Sequence, residues 1–204
     1  MSLKHILAGV MVAVSMAAQA QAAPDALIKQ LSTEVIDTVK SDKAIQAGDL
    51  GKIIALVDAK VMPHVNFQRM TASAVGRHWR EATPEQKAKL QAEFKTLLVR
   101  TYAGALTQVK DQTVALKPYR AAATDTEVVV RTEIKGKGEP IQLDYRLEKA
   151  DAAWKIYDVN VLGVWLVQNY TSSFAQEIGA NGIDGLIARL AERNKSAAAN
   201  GSKT

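Results

Sequence analysis

Residues 154–170 read WKIYDVNVLGVWLVQNY, and they decide the fold because a single glycine separates two periodicities. Before Gly163 the apolar groups follow a two-residue period: Tyr157, Val159 and Val161 share one face, while Trp154, Ile156 and Leu162 share the other. Such a strand is expected to be covered on both sides. After Gly163, the residues Val164, Val167, Tyr170, Thr171, Phe174 and Ile178 return at helical spacing. Glycine turns the chain there without a Cβ penalty, so a helix is expected to fold back over a sheet.

The preceding segments supply the rest of that sheet. In residues 126–135, Val128, Val130 and Ile134 alternate with Glu127, Arg131 and Glu133, and Gly136-Lys137-Gly138 offers a turn. In the next run Ile141, Leu143, Tyr145 and Leu147 alternate with Gln142, Asp144, Arg146 and Glu148. These strands have one wet face and one dry face. Residues 150–153 turn the chain into the Trp154 strand, and a shorter run over 113–119 supplies one more. An antiparallel sheet of about four strands is expected.

Further out the chain is helical. Pro24 and Asp25 open a helix whose stripe is Ala26, Leu27, Leu31, Val35, Ile36 and Val39. Gly48 or Asp49 opens a second, carrying Ile53, Ile54, Val57 and Val61 and ending at Pro63; a third is expected over 67–79. Thr83-Pro84-Glu85-Gln86 has the form of a capping box with proline at the first helical position. The helix it opens is long, since Leu90, Phe94, Leu97, Leu98, Tyr102, Ala105, Leu106 and Val109 keep helical spacing. Asn181-Gly182 ends the helix that follows Gly163, and a short amphipathic helix is expected over 183–193. The architecture read from this order is α+β: a curved antiparallel sheet of about four strands packed against several helices, similar to NTF2-like or cystatin-like arrangements, around an apolar cavity.

The N-terminus reads as a leader. Lys4 and His5 give a positive start, residues 6–18 are apolar, and Ala18-Gln19-Ala20 or Ala20-Gln21-Ala22 offers a small-residue cleavage site. Residues 1–22 are therefore expected to be a cleaved signal peptide, 23–195 one domain and 196–204 a disordered tail, with the mature chain in the periplasm. The chain has no cysteine, so stability must come from packing and not from disulfides. It carries 26 Lys and Arg against 21 Asp and Glu, and losing Lys4 with the leader leaves 25 against 21, near +4. The basic residues are scattered among acids without interleaved aromatics, a pattern that does not suit a nucleic-acid partner.

Three blocks carry a resemblance to a known family. HVNFQRMTASAVGRHWREATPEQKAKLQAEFKTLLVRTYAGAL, WKIYDVNVLGV and LVQNYTSSFAQEIGANGIDGLIARL are similar to the MlaC family, also called the toluene-tolerance or Ttg2 auxiliary family. The likeness runs from about Pro24 to Leu190 with order and spacing kept. It implies a monomeric periplasmic carrier of phospholipid. Its implied partners are an outer-membrane lipoprotein-porin complex and an inner-membrane ATP-driven Mla transporter, and phospholipid is held as cargo, without a cofactor.

A carrier of that kind needs an apolar cavity whose mouth leaves the headgroup in water. Burial of a methylene is worth ~0.8 kcal/mol, so two long acyl chains gain on the order of twenty kcal/mol relative to water. A bilayer gives them nearly as much. The site has to match the membrane without beating it, or cargo would not be released. Val128, Val130, Leu143, Tyr145, Val159 and Val161 are the expected floor of the cavity. Leu97, Leu98, Tyr102, Val164, Val167, Tyr170 and Phe174 are its expected walls, with Tyr102, Tyr145 and Tyr170 offering hydroxyls near the mouth.

Two other readings use the same side chains. A chaperone or interaction module would hold apolar segments of exported proteins in an open groove, with Arg77, Arg80, Lys87 and Lys89 as a basic docking face. An enzyme would need a buried acid or histidine. Asp158, placed by alternation on the face of Trp154 and Ile156, is the candidate, since His64 and His78 have no nucleophile motif near them. Neither a GxSxG nor an HExxH motif occurs, and metal-ligand spacing is lacking, so no catalytic or metal residue is assigned.

Overall fold

The computed structural model describes residues 22–122, 124–150 and 153–201. The expected leader up to residue 21 and the turn positions 151 and 152 lie outside the described residues.

Local signals start most of the helices. Proline at the first position opens α1 (Pro24–Ser41). The Asp42 side chain accepts the N–H groups of Ala44 and Ile45 at 2.9 and 3.2 Å and starts a single turn, α2 (Lys43–Gln46), that spacing did not predict. Asp49 accepts from the Lys52 N–H at 3.0 Å and caps α3 (Leu50–Leu56), which widens into a π turn (Val57–Val61) and then a 3-10 turn (Met62–His64) at Pro63. Asn66 caps α4 (Phe67–Val75), and the last turn expected of that helix is 3-10 (Gly76–Trp79). The capping box holds: Thr83 Oγ1 accepts the Gln86 N–H at 3.2 Å, and Gln86 Oε1 accepts the Thr83 N–H at 3.0 Å, at the head of α5 (Pro84–Thr107). Thr83→Ala should lower the unfolding free energy by about 1 kcal/mol, measured from the denaturant midpoint at unchanged slope.

The sheet has five strands in the order β1-β2-β3-β4-β5, all antiparallel: β1 (Thr113–Leu116), β2 (Glu127–Lys135), β3 (Ile141–Ala150), β4 (Ala153–Val161) and β5 (Val164–Trp165). The two-residue β5 extends the expected antiparallel sheet of about four strands. Leu162 and Gly163 both take left-handed φ, 53° and 89°, which closes a two-residue hairpin and pairs Val161 with Val164 and Asn160 with Trp165. The helix therefore begins only at Leu166, as α6 (Leu166–Gly201). It breaks at Gly182, where φ is 70°, and then runs on to Gly201, so the tail expected from 196 is helical up to that point.

A second correction concerns β4 itself. Arg146 pairs with Asp158 but Leu147 pairs with Ile156, so Tyr157 is an extra residue opposite β3. The bulge resets the alternation. Ile156 below it and Val159 above it both join the inner face, packing in one cluster with Val128, Val130 and Leu147. Tyr157 is turned outward, where the Arg69 guanidinium lies 3.7 Å from its ring centroid and its hydroxyl donates to Glu127 Oε2 at 3.1 Å. The strand thus has one apolar face, and its other face carries the buried polar side chains Asp158 and Asn160.

Among the described residues, buried apolar side chains form three clusters. Ile28 and Leu31 of α1 pack on the sheet with Val128, Val130, Leu147 and Ile156. Residues of α4, α5 and α6 make a second, centred on Phe94, whose ring lies 5.9 Å from Phe67, 5.1 Å from Tyr170 and 5.2 Å from Phe174. A third joins Val39, Ile45, Ile53 and Leu56. On α1 the face turned to the sheet includes Ile28, which the stripe omitted, while Ala26 is exposed.

Candidate functional site

The expected floor and walls are distributed over two clusters with a seam between them. Leu97, Tyr170 and Phe174 are buried in the helical cluster, and Val128 and Val130 in the sheet cluster. Leu98 and Val167 are half-buried against the first, Tyr145 against the second, and Val159 touches both. Tyr102, Leu143 and Val161 are half-buried and belong to none of the three clusters. Val164 is 49% exposed and stands on β5, paired with Val161. The left-handed turn at Leu162 and Gly163 places it there and not on the helix.

Register explains the seam. Leu143 pairs with Val161 and Tyr145 with Val159, so these four side chains form adjacent rows on the inner face of β3 and β4. Leu98 on α5 and Val167 on α6 pack, like Val159, against the helical cluster, and Tyr102 on α5 lies near Tyr170. Beyond the rows, Ile141, Leu162 and Val164 are 40%, 67% and 49% exposed. Exposed apolar groups thus adjoin the inner rows in sequence at one end of the sheet. Burial pushes the hydroxyls of Tyr102 and Tyr145 up from their ordinary value; the neighbouring Tyr170 adds to the first, and Ser32 and Thr132 lie beside the second. Tyr170 itself is only 7% exposed, inside the aromatic cluster and away from the surface.

Asp158 does not face the inner side. The bulge at Tyr157 turns it to the outer face, where Oδ1 accepts the N–H of Val159 at 2.9 Å and of Val167 at 3.1 Å, and Oδ2 accepts from Arg146 Nη1 at 3.1 Å. Burial pushes its carboxyl up, against the pull of those bonds. His78 is 3.1 Å from Glu81, and the basic face near Thr83 is partly engaged: Lys89 pairs with Glu85 at 2.8 Å and Lys87 lies over the Trp79 ring.

Residues 29–192 match the family described as MlaC protein. The chain belongs to the MlaC family. That MlaC match reaches from α1 into the last part of α6, so the helical cluster, the seam and the sheet cluster apart from Leu27 and Ile28 lie inside it. Among solved structures, a phospholipid-binding protein from Ralstonia solanacearum in complex with a phospholipid is similar at 48% identity and a TM-score of 0.84. The alignment covers 87% of this chain and 99% of that one. Haemophilus influenzae MlaC, the binding protein of an intermembrane phospholipid transport system, is 23% identical over 181 residues, 87% of this chain and 85% of its own. The Pseudomonas putida toluene tolerance protein ttg2D is 24% identical over 181 residues, covering 85% and 84%.

Sequence reasoning missed two features of this MlaC-family site. Val65, half-buried against both clusters, holds the start of α4 beside β4 through a bridge to Ile156. Its only sequence signal is an extended Val-Asn before a helix cap. Arg146 and Trp165 form a stacked pair on the outer face, 3.8 Å from guanidinium to ring centroid, which follows from a hairpin register that spacing does not reveal.

Proposed function

We propose that this chain is a periplasmic phospholipid carrier that holds acyl chains in the seam between α5, α6 and the inner face of β3 and β4. The observation that carries the reading is the half-buried cross-strand row Leu143 and Val161, which with Tyr102 on α5 lies outside the three cores and is followed along the chain by the exposed apolar Leu162 and Val164. A monomer whose stability came from its cores alone would gain by burying that row. The phospholipid held by the Ralstonia relative, at 48% identity, supports the same cargo here. Leu98, Tyr102, Leu143, Tyr145, Val159, Val161 and Val167 are the contact residues of this proposal, and Leu97, Val128, Val130, Tyr170 and Phe174 support them from the packed clusters.

The carrier works by differential burial and without bond chemistry. Asp158, the acid weighed for catalysis, is engaged by main-chain N–H groups and Arg146 on the opposite face. The leader read in residues 1–22 gives the periplasmic address. The proposed partners are the inner-membrane Mla transporter and the outer-membrane Mla complex, which would supply direction and energy. Incubating the mature protein with sedimentable vesicles of labelled phosphatidylethanolamine and phosphatidylglycerol tests this. Label is expected in the supernatant in proportion to protein, and label that stays wholly with the vesicles would contradict the proposal.

A further inference from the structure

The outer face of β4 holds a side chain that the lipid seam does not use. Asp158 is 2% exposed, and its carboxylate ties three elements together. It accepts from Arg146 on β3, from its neighbour Val159 on β4, and from the Val167 N–H in the first turn of α6. An ordinary helix cap comes from the residue just before the helix and orders only its first turn. Here the acceptor stands nine residues upstream, across a hairpin, so the bond fixes the helix relative to the sheet. The negative charge suits the positive end of the helix. A carboxylate this buried also needs every one of its bonds, which leaves α6 little freedom to shift.

The surrounding residues reinforce the same placement. Asn160 Oδ1 accepts the Gly163 N–H at 2.8 Å and fixes the turn, and Trp165, paired with Asn160, is covered by the Arg146 guanidinium. Val167, whose amide Asp158 holds, faces the seam with its side chain, and Tyr170 and Phe174 follow along the helix. We propose that Asp158 is the positioning residue of the lipid site: by holding the Val167 amide it sets the distance between α6 and the strand residues Val159 and Val161, and so the width of the seam.

This inference rests on the carrier reading, and its test separates the two. Asp158→Ala, Asp158→Asn, Thr83→Ala and the wild type are loaded from vesicles of phosphatidylethanolamine and phosphatidylglycerol. Lipid per protein, the rate of lipid transfer to acceptor vesicles, and Tm are then measured. Asp158→Ala is expected to release lipid at least tenfold faster than wild type, whereas Asp158→Asn, which keeps an acceptor for the Val167 N–H, stays within threefold. Thr83→Ala loses Tm at a cap remote from the seam and should release lipid at the wild-type rate. Asp158→Ala releasing lipid at the wild-type rate, or Thr83→Ala matching its defect, overturns the inference while leaving the carrier reading intact. A wild type that takes up no phospholipid overturns both. If Asp158→Ala does not fold, hydrogen exchange on the wild type decides: a protected Val167 amide supports the inference, and one exchanging like an exposed amide overturns it.

Discussion

Phe94→Ala lowers the unfolding free energy by about 3–5 kcal/mol, the largest loss expected of any single truncation on α5. Phe94 is fully buried and touches three aromatic rings from two other helices, edge-on to Tyr170 and Phe174 at interplanar angles of 77° and 73°. Edge-to-face pairs add about 0.5–1.5 kcal/mol each beyond buried area, and the cavity left behind has walls on three helices that cannot all collapse at once. Domains of this size are stable by only about 5–15 kcal/mol, so the loss takes a large share of the total. Equilibrium denaturation with an unchanged slope measures it. A loss under about 1 kcal/mol would mean that the rings are not packed as a unit.

Val161→Glu produces the opposite pattern, at least tenfold less bound phospholipid with less than about 1 kcal/mol of lost stability. Val161 is half-buried and lies outside the three clusters, so a carboxylate there reaches water in the lipid-free protein. With acyl chains in the seam the same carboxylate would be taken from water without a partner, at a cost of several kcal/mol or of its charge. Occupancy and chemical stability measured on one preparation separate the two effects. Lipid occupancy equal to wild type would remove Val161, and with it the paired Leu143, from the site. Val159 is the less clean position, because it touches both clusters and an enlarged side chain there overpacks the core, at about 1–3 kcal/mol.

The parts of the fold that rest on local chemistry were legible. Proline at residue 24 presets the first helical φ and removes an unpaired N–H, the aspartate cap at 49 and the Thr83–Gln86 box satisfy N–H groups from within a few residues, and each starts a helix where expected. The alternation of β2 and β3 was legible for the same reason. What was missed depends on pairing partners. The bulge at Tyr157 exists only because β3 pairs Arg146 with Asp158 and Leu147 with Ile156, and no property of the strand alone announces it. Leu162 at φ 53° is a conformation that residue type argues against, so the hairpin and the late start of α6 stayed hidden. The candidate site was half legible: apolar type and spacing pick the inner faces, but the same valines and leucines serve a packed core and a seam. Val130 is fully buried where Ile28 and Leu31 of α1 pack on the sheet, whereas Val161, at the end of β4, lies outside the three clusters and is half-exposed.

Native mass spectrometry of the mature protein, purified from periplasm without detergent, tests the central claim most directly. A mass above that of the bare chain by a whole number of phospholipids is expected, with the added mass lost in Val161→Glu. A bare mass in the wild type, with no phospholipid in the extract, would contradict it.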